Sequence, residues 1–197
     1  MQFPQMAPAK QHFSAIVEED VVGTAKEQLR QAGLESTVSP GAQIAVSAGS
    51  RGITNIAQIV RAVVDSVVEA GGQPFILPAM GSHGGATAEG QKQVLAGYGI
   101  TPESMGVPVE STMEVVQVDQ LGDGTPVLIN KLALEADGIV LVNRVKPHTS
   151  FRGPFESGLM KMMTIGLGSH KGAAMAHSKG AQGIANLIPA WGKAIIA

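Results

Sequence analysis

The run from Gln43 to Leu77 constrains the fold more than any other part of the chain. A short strand of the buried type, Gln43–Ala48 (QIAVSA), runs straight into Gly49-Ser50-Arg51-Gly52. Thr54 then caps a predicted helix in which Ile56, Ile59, Val60, Val63, Val64, Val67 and Val68 recur at helical spacing. Gly71-Gly72 stop that helix and a second apolar strand, Gln73–Leu77 (QPFIL), follows at once. Strand, glycine loop, helix and strand within about 35 residues make a βαβ unit, with parallel strands and a right-handed crossover.

The same grammar repeats downstream. The second strand ends in Gly81-Ser82-His83-Gly84-Gly85, and Thr87 caps a further helix running to about Ala96. Short strands at Pro108–Glu110, Glu114–Val118 and Pro126–Asn130, around the turn Gly122-Asp123-Gly124, predict a small β excursion around residues 105–130. Ala136–Val142 (ADGIVLV) is a continuous apolar run, read as a central parallel strand. Ahead of the βαβ unit lie a short strand near Phe13–Val17 and an amphipathic helix over Asp20–Ala32, stopped at Gly33. From Ser157 onward the pattern is helical in pieces, and Gln182–Ala197 reads as an apolar helix interrupted at Pro189. The expected fold class is α/β, with a Rossmann-like, open, parallel-rich sheet flanked by helices in one domain over residues 1–197. Because Ile195-Ile196-Ala197 carries neither cap nor polar tail, the expectation is a fragment of a longer protein.

Composition excludes several classes of function. With 44% hydrophobic and 15% charged residues the 197-residue chain reads as globular. A net charge of −2 without a basic run gives no electrostatic footprint for nucleic acid or an anionic membrane. The absence of cysteine removes disulfides, thiolate metal sites and a cysteine nucleophile from this chain. No stretch approaches 18 uninterrupted apolar residues and the N-terminus has no apolar core of a signal peptide, so the expected location is cytoplasmic.

Three predicted strands end in loops that carry Arg51, His83 and His148, and in open α/β sheets ligands bind outside the carboxyl ends of the strands. The third of these loops opens Asn143–Gly180, where Arg144, Lys146, Arg152, Lys161, Lys171, Lys179 and three of the five histidines are threaded through glycine and methionine. Cations bind oxyanions, neutral imidazole binds divalent metals, and glycine lets backbone amides come close. Arg51 reads either as a turn arginine or as a planar fork for a carboxylate. His148, after Pro147, is a turn histidine or a site group. Lys161 either snorkels to solvent or meets an anion or an electrophile. His170 and His177 lie seven residues apart, a poor spacing for a helical two-histidine metal site but compatible with one of them as a single ligand. Glu156 and Glu110 are candidate general bases without a paired carboxylate, and no nucleophile elbow is present.

Arg51 in GSRG, His83 in GSHGG, His148 in KPH, Ser157-Gly158-x-x-Lys161 and His177, in that order over residues 43–180, resemble the nickel-dependent lactate racemase family, in its N-terminal domain. The resemblance implies a racemase or epimerase of a 2-hydroxy acid that works by proton-coupled hydride transfer. Its implied cofactor is a nickel pincer nucleotide, a pyridinium mononucleotide carrying nickel. Carried over by residue, it implies Arg51 as the anchor of the substrate carboxylate and His83 and His148 as acid/base groups on the two faces of the substrate. Lys161 would be the covalent tether, with Ser157 and Gly158 in its loop, and His177 the nickel ligand. It also implies that the chain is the N-terminal part of a longer two-domain protein, whose C-terminal domain closes over the site. Two places depart from the family's pattern: its Asp-x-Thr-Arg reads Ala48-Gly49-Ser50-Arg51, and its Ser-Gly-Gly-x-Lys reads Ser157-Gly158-Leu159-Met160-Lys161. The alternative reading is a non-catalytic domain binding a carboxylated or phosphorylated metabolite, and a metal-dependent hydrolase ranks third.

Overall fold

A computed structural model of the chain describes residues 6–12 and 17–196. The strand expected near Phe13–Val17 falls on residues 13–16 and so lies outside the described residues. Helices α1 (Val21–Gln31) and α2 (Leu34–Thr37) precede strand β1 (Gln43–Ala48), helix α3 (Ile56–Glu69) and strand β2 (Gln73–Pro78). Helices α4 (Ala88–Ala96) and α5 (Pro102–Met105) lead to the hairpin β3 (Val115–Gln120) and β4 (Pro126–Asn130). Helix α6 (Lys131–Glu135), strand β5 (Gly138–Leu141), the short α7 (Leu159–Lys161), a π-helical turn (Met162–Gly166), α8 (Ser169–Ser178) and α9 (Gly180–Ile196) complete the order. No helix among the described residues is long and apolar enough to cross a membrane.

The main sheet is parallel with order β2-β1-β5, and Val46 aligns with Ile76 on one side and Val140 on the other. The expected α/β class and the parallel βαβ unit are therefore both present, with an open sheet flanked by helices. Alternation along the strands divides two cores. Val46, Ala48 and Ile76 face Val60, Val63 and Val64 of α3 and Leu95 of α4. Ala45, Phe75 and Leu77 face Ile129, Ala133, Met162 and Leu167. Period 2 in the strands meets period 3.6 in α3, and each fully buried aliphatic side chain contributes roughly 1.5–3 kcal/mol. Val68 is the exception in the expected apolar face, since it points to solvent.

Four expectations are corrected. β5 is an edge strand of the sheet, not a central one, and β1 holds the centre; the residues of β5 are only partly buried, while those of β1 and β2 after their first residue are buried. Asn55, not Thr54, is the N-cap of α3, held at φ 61° without a side-chain cap bond. Of the expected segment Pro108–Glu110 only Val109 pairs, bridging to Ile76, while the predicted hairpin forms at Val115–Gln120 and Pro126–Asn130. Finally, α9 runs through Pro189 without interruption. A helix-interior proline costs about 3 kcal/mol, and the burial of Ile184, Leu187, Ile188 and Trp191 on both sides of it offsets that cost.

The loop after β2 meets the π-helical turn backbone to backbone: Gly81 N–H donates to the Gly166 carbonyl at 3.4 Å. A β-carbon on Gly166 would lie 2.8 Å from the Ala79 carbonyl oxygen, whereas one on Gly52 would meet nothing within 4 Å. Gly166→Ala is therefore expected to destabilise the protein by about 1–3 kcal/mol through overpacking, and Gly52→Ala to stay within about 0.5 kcal/mol of the parent. Urea unfolding with an unchanged slope would measure both, and equal midpoints for the two variants would count against the close contact.

Candidate functional site

Because β1, β2 and β5 are parallel, their carboxyl ends open on one side of the sheet, and a cleft of about 280 Å³ lies there. Arg51 reaches it from the loop after β1, His83 from the loop after β2, and Lys146 and His148 from the loop after β5. Ser157, Lys161 and His177 complete the lining from the following segment. Of the residues carried over from the family resemblance, Gly158 alone lies outside it. Its amide donates to Asn143 Oδ1 at 3.2 Å and its φ of 81° explains the glycine, but it lines a separate apolar groove beside the open edge of β5.

The two loops nearest the sheet centre are coupled. Ser50 Oγ is hydrogen-bonded to His83 Nδ1, and the Ser50 carbonyl accepts from Tyr98 Oη at 2.6 Å. An Arg51 Nη lies 3.5 Å from His83 Nε2. Gly81, Gly84 and Gly85 all adopt positive φ, so the chain turns sharply on both sides of His83. Buried Gln91 of α4 donates to the Gly81 carbonyl at 2.9 Å and more weakly to that of His83 at 3.4 Å, fixing the turn. Burial, and after it the Arg51 guanidinium, holds His83 below the usual imidazole value.

The third loop is closed by Glu156. Its carboxylate accepts from His148 N–H at 2.7 Å and from Gly153 N–H at 3.4 Å, and Arg152 stands 3.7 Å away. The amide of His148 is the main reason its pKa lies below the ordinary glutamate value. This carboxylate, a candidate general base in the sequence, is engaged in tying a loop together. Ser157 is likewise committed to backbone: its hydroxyl donates to the Lys146 carbonyl and accepts from the Lys146 amide, each at 2.6 Å. His148 Nδ1 accepts from the amides of Ser150 (3.1 Å) and Phe151 (3.4 Å), and its ring packs on Phe151 with centroids 4.2 Å apart. Burial first, then Lys161 and Lys146, push its pKa down.

Lys161 is half-buried. Its Nζ sits 5.1 Å over the Phe151 ring and donates to the Glu156 carbonyl at 3.3 Å. Burial lowers its pKa most, with Lys146 and Arg51 adding to the effect. His177, exposed on α8, borders the same cleft, whereas exposed His170 does not, so the two do not form a pair. Among the described residues no group of three or more His, Asp or Glu side chains is placed to hold a metal ion.

Sequence reasoning missed the supporting residues Ser50, Tyr98, Gln91 and Asn143. Only Tyr98 carried a signal: a lone tyrosine in an aromatic-poor chain usually brings its hydroxyl to a partner when partly buried.

A lysine whose pKa is lowered has more free amine at any pH below the ordinary value near 10.4. Competitive acetylation across pH 7–11, read by peptide mass, is expected to show Lys161 titrating below that value. Titration at or above it would contradict the half-buried position.

The family model described as lactate racemase N-terminal domain matches residues 5–185. No curated protein and no solved structure matches the chain. The matched span takes in β1, β2, β5 and every residue of the cleft, and by it the chain belongs to the lactate racemase N-terminal domain family.

Proposed function

We infer that the protein is a racemase or epimerase of a 2-hydroxy acid that uses a lysine-tethered nickel pincer nucleotide. The observation carrying this reading is one cleft that gathers a guanidinium, two imidazoles with lowered pKa and a half-buried amine at the ends of three parallel strands. Arg51 offers its planar fork to the substrate carboxylate, and exposed Lys146 adds positive charge beside it. The imidazoles of His83 and His148 handle the hydroxyl proton; their lowered pKa keeps them neutral, and so able to accept it, at neutral pH.

The residues fit the cofactor in two respects. Lys161 is a shielded amine with raised nucleophilic fraction, suited to a covalent link, and His177 supplies one exposed imidazole of the kind nickel favours. When bound, the group supplies a pyridinium ring that takes and returns a hydride beside the metal. Ser157 shapes the tether loop through its two bonds to Lys146, and Gly158 lets the chain turn there. Arg51 and Lys146 are exposed at the cleft mouth, which suits a second domain closing over it and excluding water. A second reading, a metabolite-binding domain without turnover, draws on the same cationic lining with its one carboxylate, Glu156, already engaged.

Producing the full-length protein together with cofactor-making enzymes is expected to give bound nickel and a mass increase on the Lys161 peptide. Unmodified Lys161 without nickel would end the tethered-cofactor reading. His83→Ala is expected to lower turnover by about 10²–10⁴-fold, and Arg51→Ala to lower kcat/KM mainly through KM. In the metabolite-binding reading both variants would weaken ligand affinity, with no turnover to lose.

A further inference from the structure

The two edges of the parallel sheet are finished differently. Along β2, Ile76 donates its amide to the Pro108 carbonyl at 2.8 Å and accepts from the Glu110 amide at 2.9 Å, so Val109 covers that edge. Along β5, β1 is the one paired strand among the described residues. The Val142 amide donates to the Ser47 carbonyl at 3.3 Å, and alternation turns the amides and carbonyls of Ile139 and Leu141 to the opposite, open side. This edge reads Gly-Ile-Val-Leu, without the charge, proline or bulge that keeps a bare edge from pairing. An apolar groove of about 1040 Å³ runs beside it, lined by buried Ala133, Met163 and Leu167 and by exposed Val145, Leu159 and Ile196.

We propose that the groove receives a β-strand from the part of the same protein that follows this domain, pairing in parallel with the open edge of β5. Three observations select that occupant. Parallel strands are covered on both faces and their sheets commonly hold about four to six strands, whereas this one has three. Ile195 and Ile196, in the last turn of α9, lie on the groove, so a connection from α9 into a strand at this edge makes a crossover of the kind that α3 makes between β1 and β2. The matching family, finally, is described as an N-terminal domain, a description that provides for a following part. Lys146, Pro147, Glu156 and Ser157 border both the groove and the cleft, so a strand seated there braces the segment that carries His148 and Lys161. This pairing stands apart from the racemase reading of the cleft.

In the full-length protein, produced without cofactor-making enzymes, hydrogen exchange resolved at single amides reads the edge directly. Ile139 and Leu141 are expected to exchange within about tenfold of Val140, which faces β1; amides on a bare edge would exchange about 10²-fold faster or more. A photoreactive leucine analogue at Leu159 is expected to cross-link, within one chain, to a peptide beyond Ala197. Leu159→Asp and Val145→Asp each place a charge on the groove, and each is expected to speed exchange at Ile139 and Leu141 by about tenfold or more while leaving Val46 and Ile76 as they are. Fast exchange at both edge amides, the absence of a cross-link beyond Ala197, or a cross-link to residues 1–197 of a second copy would overturn the proposal. The readout needs neither nickel nor substrate. A bare edge would therefore leave the cofactor reading standing, and an unmodified Lys161 would leave the strand pairing standing.

Discussion

The arrangement of the cleft depends on β1 being paired along both edges by strands running in its own direction. Parallel pairing brings three carboxyl ends to one side, and with them the loops of Arg51, His83 and His148. Had any one strand run the other way, its loop would open on the far side of the sheet. The burial that fixes this order is concentrated in Ala45, Val46, Ala48, Ile76 and Leu77, all with 4% exposure or less, so the geometry of the site rests on hydrophobic packing well removed from its own polar groups.

Charge then acts on what the sheet has gathered. Arg51, Lys146 and Lys161 border one cleft whose single carboxylate is turned toward backbone amides. Burial first, and neighbouring cations after it, lower the pKa of His83, His148 and Lys161, with Glu156 opposing the shift in the last two. The same cationic surplus favours an anionic ligand, because binding one relieves the repulsion. Burial and this cationic surplus thus act together to lower the pKa of the bases, and the surplus also prepares the binding of an acid.

Local periodicity made the βαβ unit readable: valines three and four apart in α3 and alternating apolar residues in β1 and β2 leave little choice of fold. The gathering of Arg51, His83 and His148 followed from topology alone, once the strands were taken as parallel. What periodicity could not reveal was which strand sits at an edge, because an apolar tetrad such as Gly138–Leu141 reads alike with one neighbour or two. Nor could it reveal the contact of Ser50 with His83, 33 residues apart, or the diversion of Glu156 to the amide of His148. Such pairings are made by loops meeting in space, and a serine or glutamate in a polar loop gives no sign of its partner. The unbroken α9 failed to follow its local signal because burial outweighed the cost of Pro189.

The meeting of Gly81 and Gly166 has a consequence for the dimensions of the cleft. His83 lies two residues after one glycine and Lys161 five residues before the other, so the span between the backbones that carry imidazole and amine is gauged by main chain against main chain. Side-chain rotamers adjust what is presented across that span but do not set its width. The cleft therefore behaves as a fixed caliper: substitutions among its polar groups alter the chemistry offered to a ligand, while a single methyl group placed at the glycine contact would alter the size of ligand it admits.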